Sequence, residues 1–392
     1  MKRSLEVADI FRAFGPAYRQ AHEMPVRHLR VMRAIEICRT AELGGHLDQC
    51  DHCGTIRISY NSCRNRHCPK CQCLEKERWL EAREKDLLPT AYFHVVFTLP
   101  EGLRPLALRN QKVLYTLLFK AVSETLTELA RDSKHLGAEI GFMAILHTWS
   151  QTLIDHPHLH CLVSGGGLSL DGKRWLRSKK DFFIPVHVLS SLFRGKFLDG
   201  LKREYEAGEL RFPGQIEELK EALAFKRFLT NLYHQAWVVY CKPPLKHPEK
   251  VMDYLGRYTH RVALSNDRLV KLEGNQVTFR WRDSADNNKI KLLTLEALEF
   301  IRRFLLHVLP DQFVKIRYYG VMSHRSRKAK LSRCKKLLGV AASEGTEEVP
   351  KETWQDLLTR ITGIDPTICP QCGKGKMIQR ETLLPQHNGR PP

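Results

Sequence analysis

The sequence predicts an α+β fold, in which a sheet-forming region follows a helical, cysteine-rich beginning. Apolar residues at helical spacing predict helices over much of 1–49 and again at 74–88. Runs of β-branched and aromatic residues, such as YFHVVFTLP (92–100) and QVTFRWR (276–282), predict strands. Because the predicted strands alternate with long helices and some are joined by short turns, the pattern is typical of an α+β sheet domain.

Charge is the most unusual bulk property of the chain. The 392 residues include 63 Lys and Arg against 43 Asp and Glu, which gives a net charge of +20. Such an excess predicts a polyanionic partner, with nucleic acid first and an anionic membrane second. No apolar run approaches the roughly 20 residues of a membrane-spanning helix, and the first residues lack the apolar core of a signal peptide. We therefore expect a soluble, intracellular protein that binds nucleic acid.

Two Cys-x₂-Cys pairs predict a zinc site near the N-terminus. Cys50 and Cys53 form one pair, Cys68 and Cys71 form the other, and 14 residues separate the pairs. This is close to zinc-ribbon spacing, in which four thiolates share one tetrahedral Zn²⁺. Four neighbouring residues remain possible substitutes as ligands: Cys63, Cys73, His52 and His67.

The cysteine pattern also divides the chain into three regions. Residues 1–89 form a helical and zinc-ribbon DNA-binding domain, and residues 90–335 form the sheet domain. Residues 336–392 form a polar linker and a tail with one further pair, Cys369 and Cys372. We assign no metal to this tail pair, which is half a zinc site and remains open to pairing with another segment or subunit.

Basic residues surround the second cysteine pair. In CRNRHCPK (63–70), Arg64, Arg66 and Lys70 are candidates for contacts with DNA phosphates. The alternative for each residue is an ordinary solvated charge.

The stretch HPHLHCLVSGGG (156–167) predicts half of a second metal site. Because alternate residues of a strand share a face, His158 and His160 point the same way, as two ligands of one divalent ion would. We expect Gln151 to supply a third ligand across a hairpin, with His147, Asp155 and His156 as alternatives, and the glycines to turn the chain sharply. Two partly buried histidines without metal are the simpler alternative.

Two tyrosines stand four residues apart in DYLGRYTHR (253–261). Tyr254 and Tyr258 share a face if this segment is helical. Arg257 and Arg261 lie beside them and are candidates for binding phosphate. Packing of the two rings against the sheet is the alternative.

Together these motifs resemble a known family over almost the whole chain. The blocks that carry the resemblance are CRTAELGGH, CRNRHCPKCQ, YFHVVFTLP, HTWSQTLIDHPHLHCLVSGGG, YLGRYTHRVALSN and RYYGVMSHR. They are similar to the two-tyrosine HUH transposases of the insertion-sequence-91 type, in which HUH denotes histidine, hydrophobic residue, histidine. Here that motif is His158-Leu159-His160.

The resemblance implies an antiparallel-sheet HUH nuclease core flanked by helices. It implies that Tyr254 and Tyr258 are nucleophiles that form a 5′-phosphotyrosine with single-stranded DNA, at element ends and at the target, in rolling-circle transposition. It also implies Mg²⁺ or Mn²⁺ at the histidines, help from host replication factors, and a place in the bacterial cytoplasm near the nucleoid.

Two other functions remain open from the sequence. One is a plasmid relaxase or replication initiator with the same chemistry, and the other is a non-enzymatic zinc-ribbon DNA-binding protein. The order of the two tyrosines, the DNA sequences recognised and the oligomeric state are not predicted.

Overall fold

The computed structural model describes residues 4–179, 183–259, 262–325, 327–340 and 352–386. The helices are α1 (Val7–Ala21), α2 (Val26–Ile37), α3 (Gln72–Glu84), α4 (Arg104–Arg109), α5 (Gln111–Arg131), α6 (Val186–Glu206), α7 (Ala222–His234), α8 (Pro248–Tyr258), α9 (Ala297–Leu306), α10 (Arg327–Leu337) and α11 (Trp354–Thr362). The strands are β1 (Gly45–Cys50), β2 (Ile56–Tyr60), β3 (Tyr92–Thr98), β4 (Ala138–Trp149), β5 (Asp155–Ser169), β6 (Trp175–Arg177), β7 (Val239–Leu245), β8 (Leu269–Glu273), β9 (Gln276–Asp283), β10 (Lys289–Glu296), β11 (Ile316–Gly320) and β12 (Met377–Leu383).

A six-stranded sheet forms the centre of the fold. Its strand order is β11-β4-β5-β3-β7. The sixth strand, β6, pairs with Gly166 to Leu168 near the C-terminal end of β5. Every pairing in this sheet is antiparallel. The predicted α+β class, with an antiparallel sheet flanked by helices, is therefore confirmed.

The alternation of side chains along β5 separates two layers. Leu159, Cys161 and Val163 join the core formed with α4 to α7 on one face of the sheet. Leu162 joins a second core with α3, α8 and α10 on the other face. His158 and His160 have the same parity as Leu162, so they face the α8 layer.

The glycines near the end of β5 lie within the strand, so the predicted sharp turn is wrong. A Cβ at Gly165, Gly166 or Gly167 would lie only 2.6–2.7 Å from carbonyl oxygens of the neighbouring chain segments. Neighbouring backbone therefore crowds this part of the strand too closely for a side chain.

The N-terminal helices share a core with later segments. Phe11 of α1 and Met32 of α2 pack in one cluster with Phe279 of β9 and with Phe300 and Phe304 of α9. The sheet β8-β9-β10 contributes Leu269, Val277 and Leu295 to the same cluster. The cysteine-rich region is thus built onto the sheet domain through apolar contacts.

The C-terminal tail contributes a strand to the N-terminal hairpin. β12 pairs antiparallel with β1, in the sheet β12-β1-β2. Most of the predicted linker, 341–351, lies outside the described residues. None of the helices in the described part of the chain is long and apolar enough to cross a bilayer.

Candidate active site and metal centres

Three histidine side chains meet on the α8 face of the central sheet. β5 contributes His158 and His160, and β4 contributes His147, which pairs directly with His158 in the strand register. One nitrogen from each ring lies within 4.8 Å of the others. The set has the donor type and spacing of a divalent-metal site.

The tautomer of His158 suits metal binding, and the contacts of His160 are compatible with the same role. His158 Nδ1 donates to the carbonyl of His156 at 2.6 Å, which leaves the lone pair on Nε2. His160 Nδ1 lies 3.0 Å from Nε2 of His94, and the Nε2 atoms of His158 and His160 are 3.1 Å apart. Two nitrogens bound at right angles to one ion, each at about 2.1 Å, stand about 3 Å apart. The two Nε2 atoms are therefore spaced as ligands of one ion.

His147 occupies the position that the sequence predicts for Gln151. β4 and β5 pair as far as Trp149 and Asp155, with a register shift after His147, and Gln151 lies in the turn beyond that pair. Its carbonyl accepts a hydrogen bond from Arg268 Nη2 at 2.5 Å. The expectation that Gln151 lies opposite His158 is wrong, because it depended on a hairpin register that spacing alone does not determine.

The two tyrosines of α8 lie against the histidine cluster. The ring centroid of Tyr258 is 4.2 Å from that of His160 and 4.5 Å from that of Tyr254. His147 Nε2 donates to the carbonyl of Tyr258 at 2.7 Å, which joins the end of α8 to β4. Tyr254 lies deeper: it is 7% exposed, and its hydroxyl has no hydrogen-bond partner within the described structure.

His94 of β3 belongs to the same site and was not predicted from the sequence. Its ring lies 5.2 Å from His160 and 4.5 Å from Tyr254, between centroids. The available signal was a histidine within the apolar run YFHVVFTLP. A polar ring in a buried strand needs a partner, and here the partner is a candidate metal ligand.

Burial sets the protonation of these groups. It lowers the pKa of His158 to about 4, and the neighbouring His156 adds to the effect. Burial also lowers the pKa of His94 to about 3, with Lys242 as a further cause. Both rings are neutral near pH 7, which is the form that binds a metal. Burial raises the pKa of Tyr254 well above 10, so its phenol stays protonated.

The N-terminal cysteines form two separate clusters, and the predicted grouping of Cys50, Cys53, Cys68 and Cys71 in one ribbon is wrong. Cys68 and Cys71 instead meet Cys38, which follows α2, and Cys63. The sulfur of Cys71 lies 3.5 Å from that of Cys38 and 3.6 Å from that of Cys63. Four thiolates around one zinc, each at about 2.3 Å, stand about 3.8 Å apart, so this cluster fits a tetrahedral zinc.

The other pair meets the tail of the chain. Cys50 and Cys53 lie with Cys369 and Cys372, and all four sulfurs are within 4.8 Å of one another. Spacing favoured the wrong grouping because it counts only residues close in sequence, whereas Cys369 is 316 residues from Cys53. The sequence contains one indication of the correct grouping: Cys63 is close in the chain to Cys68 and Cys71.

Comparison with known proteins identifies the family. A model described as "Putative transposase" matches residues 141–330, and the "Transposase zinc-binding domain" model of insertion-sequence-91 elements matches residues 10–99. The chain is 52% identical over 378 residues to "Putative transposase y4qJ" of Sinorhizobium fredii (strain NBRC 101917 / NGR234), a match that covers 96% of this chain and 95% of that protein. The chain belongs to the insertion-sequence-91 family of transposases.

A second relative of the transposase is more distant. The "Transposase for insertion sequence element IS801" of Pseudomonas savastanoi pv. phaseolicola is 27% identical over 343 residues, with 86% of this chain and 79% of that protein covered. No solved structure matches the transposase. Family membership makes DNA the partner and supports Zn²⁺ as the metal of the cysteine-rich domain.

Two of the basic residues predicted to bind DNA make internal contacts in the transposase. Arg66 donates to the carbonyls of Phe313 at 2.6 Å and Pro310 at 2.8 Å. Lys70 Nζ lies 2.6 Å from a carboxylate oxygen of Glu6. These contacts attach the loop that carries the cysteines to the sheet domain and to the start of α1.

The other basic candidates lie in different surroundings. Arg64 is exposed. Its neighbour Asn65 lines an open groove of about 520 Å³ together with Arg27 and Arg30 of α2. The side chain of Arg257 and the whole of Arg261 lie outside the described residues. The structure therefore adds Arg30 of α2, which is exposed, to the basic residues that the transposase could present to DNA, whereas Arg27 donates to Gln111 Oε1 at 3.2 Å.

Proposed function

We propose that the transposase cleaves and rejoins single-stranded DNA through a 5′-phosphotyrosine intermediate, in rolling-circle transposition of an insertion sequence. The observation that carries the proposal is the contact between Tyr258 and the three-histidine cluster, with ring centroids 4.2 Å apart for Tyr258 and His160. A phenol is a nucleophile for phosphodiester exchange, and here it lies beside ligands that could hold a cation on the attacked phosphate.

His147, His158 and His160 would hold the divalent ion. Their hydrogen bonds to backbone carbonyls and to His94 orient the rings before DNA binds, which is the usual role of groups behind metal ligands. When bound, Mg²⁺ or Mn²⁺ would polarise the scissile phosphate and offset its developing charge. Three nitrogens leave room for phosphate oxygens and water, the ligands that these hard ions prefer.

In the proposed step, Tyr258 Oη attacks the phosphorus of the scissile phosphodiester. A bond forms between Oη and phosphorus, and the bond from phosphorus to the 3′ oxygen breaks. The phenolic proton passes to solvent, and the departing oxygen takes up a proton to become a 3′-hydroxyl. One phosphodiester replaces another, so a later attack by a 3′-hydroxyl can rejoin the strand without ATP.

The two tyrosines differ in their burial. Tyr258 is partly buried beside the histidines, whereas Tyr254 is 7% exposed and its hydroxyl has no partner in the described structure. We infer that Tyr258 acts on the first strand and that Tyr254 acts on a second strand after α8 moves. Exposed arginines such as Arg30 and Arg64 would bind the DNA backbone, and host replication factors would supply single strands.

The test incubates the transposase with labelled single-stranded DNA of an element end and Mn²⁺, and measures a protein–DNA adduct that survives denaturation. Tyr258→Phe should lower adduct formation at least 100-fold, because the reacting oxygen is lost. Tyr254→Phe should keep the first adduct and lose strand transfer. Tyr233→Phe, an exposed tyrosine of α7, is the matched control and should behave as wild type.

Two further measurements complete the design. His158→Ala should abolish the adduct while retaining binding to the same DNA. Peptide mapping should find the modification on Tyr258. An adduct on Tyr254 that forms at the wild-type rate in Tyr258→Phe would contradict the assigned order, and an adduct in the double variant would contradict both nucleophiles. Equal cleavage of a plasmid origin would favour a replication initiator.

A further inference from the structure

We infer a second zinc site, formed by Cys50, Cys53, Cys369 and Cys372, that fastens the C-terminal segment 352–386 to the N-terminal hairpin. The matched zinc-binding domain spans residues 10–99 and the other matched region ends at residue 330. Two of the four proposed ligands, Cys369 and Cys372, therefore lie outside both matched regions.

The sulfurs are spaced as zinc ligands and are not bonded as disulfides. Cys50 Sγ lies 3.7 Å from Cys372 Sγ, and Cys53 Sγ lies 3.7 Å from Cys369 Sγ. A disulfide would bring two sulfurs to about 2.05 Å, whereas the corners of a zinc–thiolate tetrahedron stand about 3.8 Å apart. Each close contact joins one sulfur of the hairpin to one of the tail.

The two Cys-x₂-Cys turns share the same backbone turn. Each also has one sulfur that accepts an amide hydrogen bond at 3.4 Å, at different positions: Cys50, the first of its pair, accepts from Cys53, and Cys372, the second of its pair, accepts from Gly375. Gly54 donates to the carbonyl of Cys50 at 3.1 Å, and Gly373 donates to that of Cys369 at 2.9 Å. Both glycines have positive φ, 74° and 65°. Two like turns that face each other are the arrangement by which paired knuckles enclose one ion.

Close backbone packing brings the turns together. The strand pairing of β1 with β12 runs from Gly45–Leu383 to Cys50–Met377. Next to it, a Cβ at Gly375 would lie 2.5 Å from Cys50 Sγ, so only glycine fits. The amide of Lys376 donates to a carboxylate oxygen of Asp51 at 2.8 Å.

The segment has little apolar burial to hold it otherwise. Within residues 352–386, the buried residues are Leu357, Cys369 and Gly375, and β12 is largely exposed. Burial of one leucine contributes only about 2 kcal/mol, whereas a structural zinc can contribute roughly 10 kcal/mol to folding. The proposed metal would therefore contribute more to the attachment of this segment than apolar burial does.

The experiment measures zinc per chain in the full-length protein purified under reducing conditions. Wild type should contain two zinc ions. The pairs Cys50→Ser/Cys53→Ser and Cys369→Ser/Cys372→Ser should each contain one, and so should all four substitutions together, because both pairs serve one site. Cys68→Ser/Cys71→Ser should lose the other ion. Cys241→Ser, a thiol on β7 outside both clusters, is the control and should retain two.

A second readout separates loss of metal from loss of folding. Trypsin should cleave after Lys374 and Arg380 at least 10-fold faster in Cys369→Ser/Cys372→Ser than in wild type, while the sheet domain stays resistant. Cys372→His should retain two zinc ions, because imidazole also binds tetrahedral zinc. One zinc in wild type, two in the tail double variant, or unchanged cleavage of the tail would overturn the inference.

Discussion

His94 links the candidate ligands to the candidate nucleophiles. For His160 to bind a metal through Nε2, its proton must sit on Nδ1 and be donated to His94 Nε2, which lies 3.0 Å away. The proton of His94 is then on Nδ1, a buried atom without a partner in the described structure. This hydrogen bond gives the tautomer of His160 that metal binding requires an acceptor for its Nδ1 proton, and its loss would leave that proton without this acceptor.

His94→Ala should therefore weaken the metal site more than the fold. We expect the Mn²⁺ concentration for half-maximal adduct formation to rise about 10–100-fold, the usual effect of removing a group behind a metal ligand. His94→Gln keeps an acceptor and should recover part of the loss. Titration of adduct formation against Mn²⁺ measures both variants.

His187→Ala provides the comparison for this experiment. His187 is an exposed histidine of α6, in the layer on the other side of the sheet. It should leave the Mn²⁺ titration unchanged. If saturating Mn²⁺ restores none of the activity of His94→Ala, the role of His94 is other than positioning His160.

β5 carries two histidines of the candidate metal site in its first half and closely packed glycines in its second half. Its first half has a histidine-bearing face, and its second half carries glycines where Ala91, Glu139 and Leu176 approach from neighbouring segments. Crowding by backbone atoms cannot be relieved by a rotamer change, so a Cβ there forces strands apart. Close contacts with the backbone of neighbouring segments therefore hold β5, the strand that carries His158 and His160, from both sides.

Gly166→Ala should destabilise the protein by about 1–3 kcal/mol, the usual effect of overpacking. Its Cβ would lie 2.6 Å from the carbonyl oxygen of Leu176. Gly195→Ala is the matched control: Gly195 lies in α6 with nothing within 4 Å of its Cβ position. This change should stabilise by up to about 1 kcal/mol, since alanine favours helix. Urea denaturation of both variants measures the difference, and equal effects would contradict the crowding argument.

The molecule as a whole has polar groups buried on both faces of its central sheet. On the face opposite the histidines, Asp155 is 3% exposed and neither carboxylate oxygen has a hydrogen-bond partner within the described structure. Burial raises its pKa from 3.8 to about 7, although the nearby Arg104 acts in the opposite direction. In the unfolded chain the carboxyl ionises near pH 4, so folding becomes less favourable as pH rises from about 4 to 7.

Asp155→Asn should remove this penalty. Near pH 4 the variant and wild type should differ little in stability, because the carboxyl is protonated in the folded chain and only about half ionised in the unfolded chain. The advantage of the variant should grow up to about pH 7 and stay constant above it. Melting temperatures at several pH values measure the difference between the two proteins.

Asp199→Asn tests whether this effect needs burial. Asp199 forms an exposed ion pair with Arg203, and such pairs contribute only about 0–1 kcal/mol. This variant should show little change in melting temperature at any pH. An Asp155→Asn advantage that is the same at pH 4 and pH 8 would contradict a penalty due to ionisation.

Local sequence patterns determined the features that depend on residues close in the chain. Strand alternation put His158 and His160 on one face, and helical spacing put Tyr254 and Tyr258 on one side of α8. The α+β class and the family also followed from the sequence, because long ordered blocks of residues carry them. The shared faces depend on the periodicity of residue types, and the family depends on which residues stand in the ordered blocks. Both can be read from the sequence without coordinates.

Only the tertiary structure decided which distant residues meet. His147, rather than Gln151, lies opposite His158 because the β4–β5 hairpin has an irregular register. His94 lies beside the other histidines because β3 pairs with β5. The sorting of cysteines into two clusters depends on the C-terminal strand pairing with β1. Spacing along the chain carries no information about such contacts, because they result from packing and strand pairing across hundreds of residues.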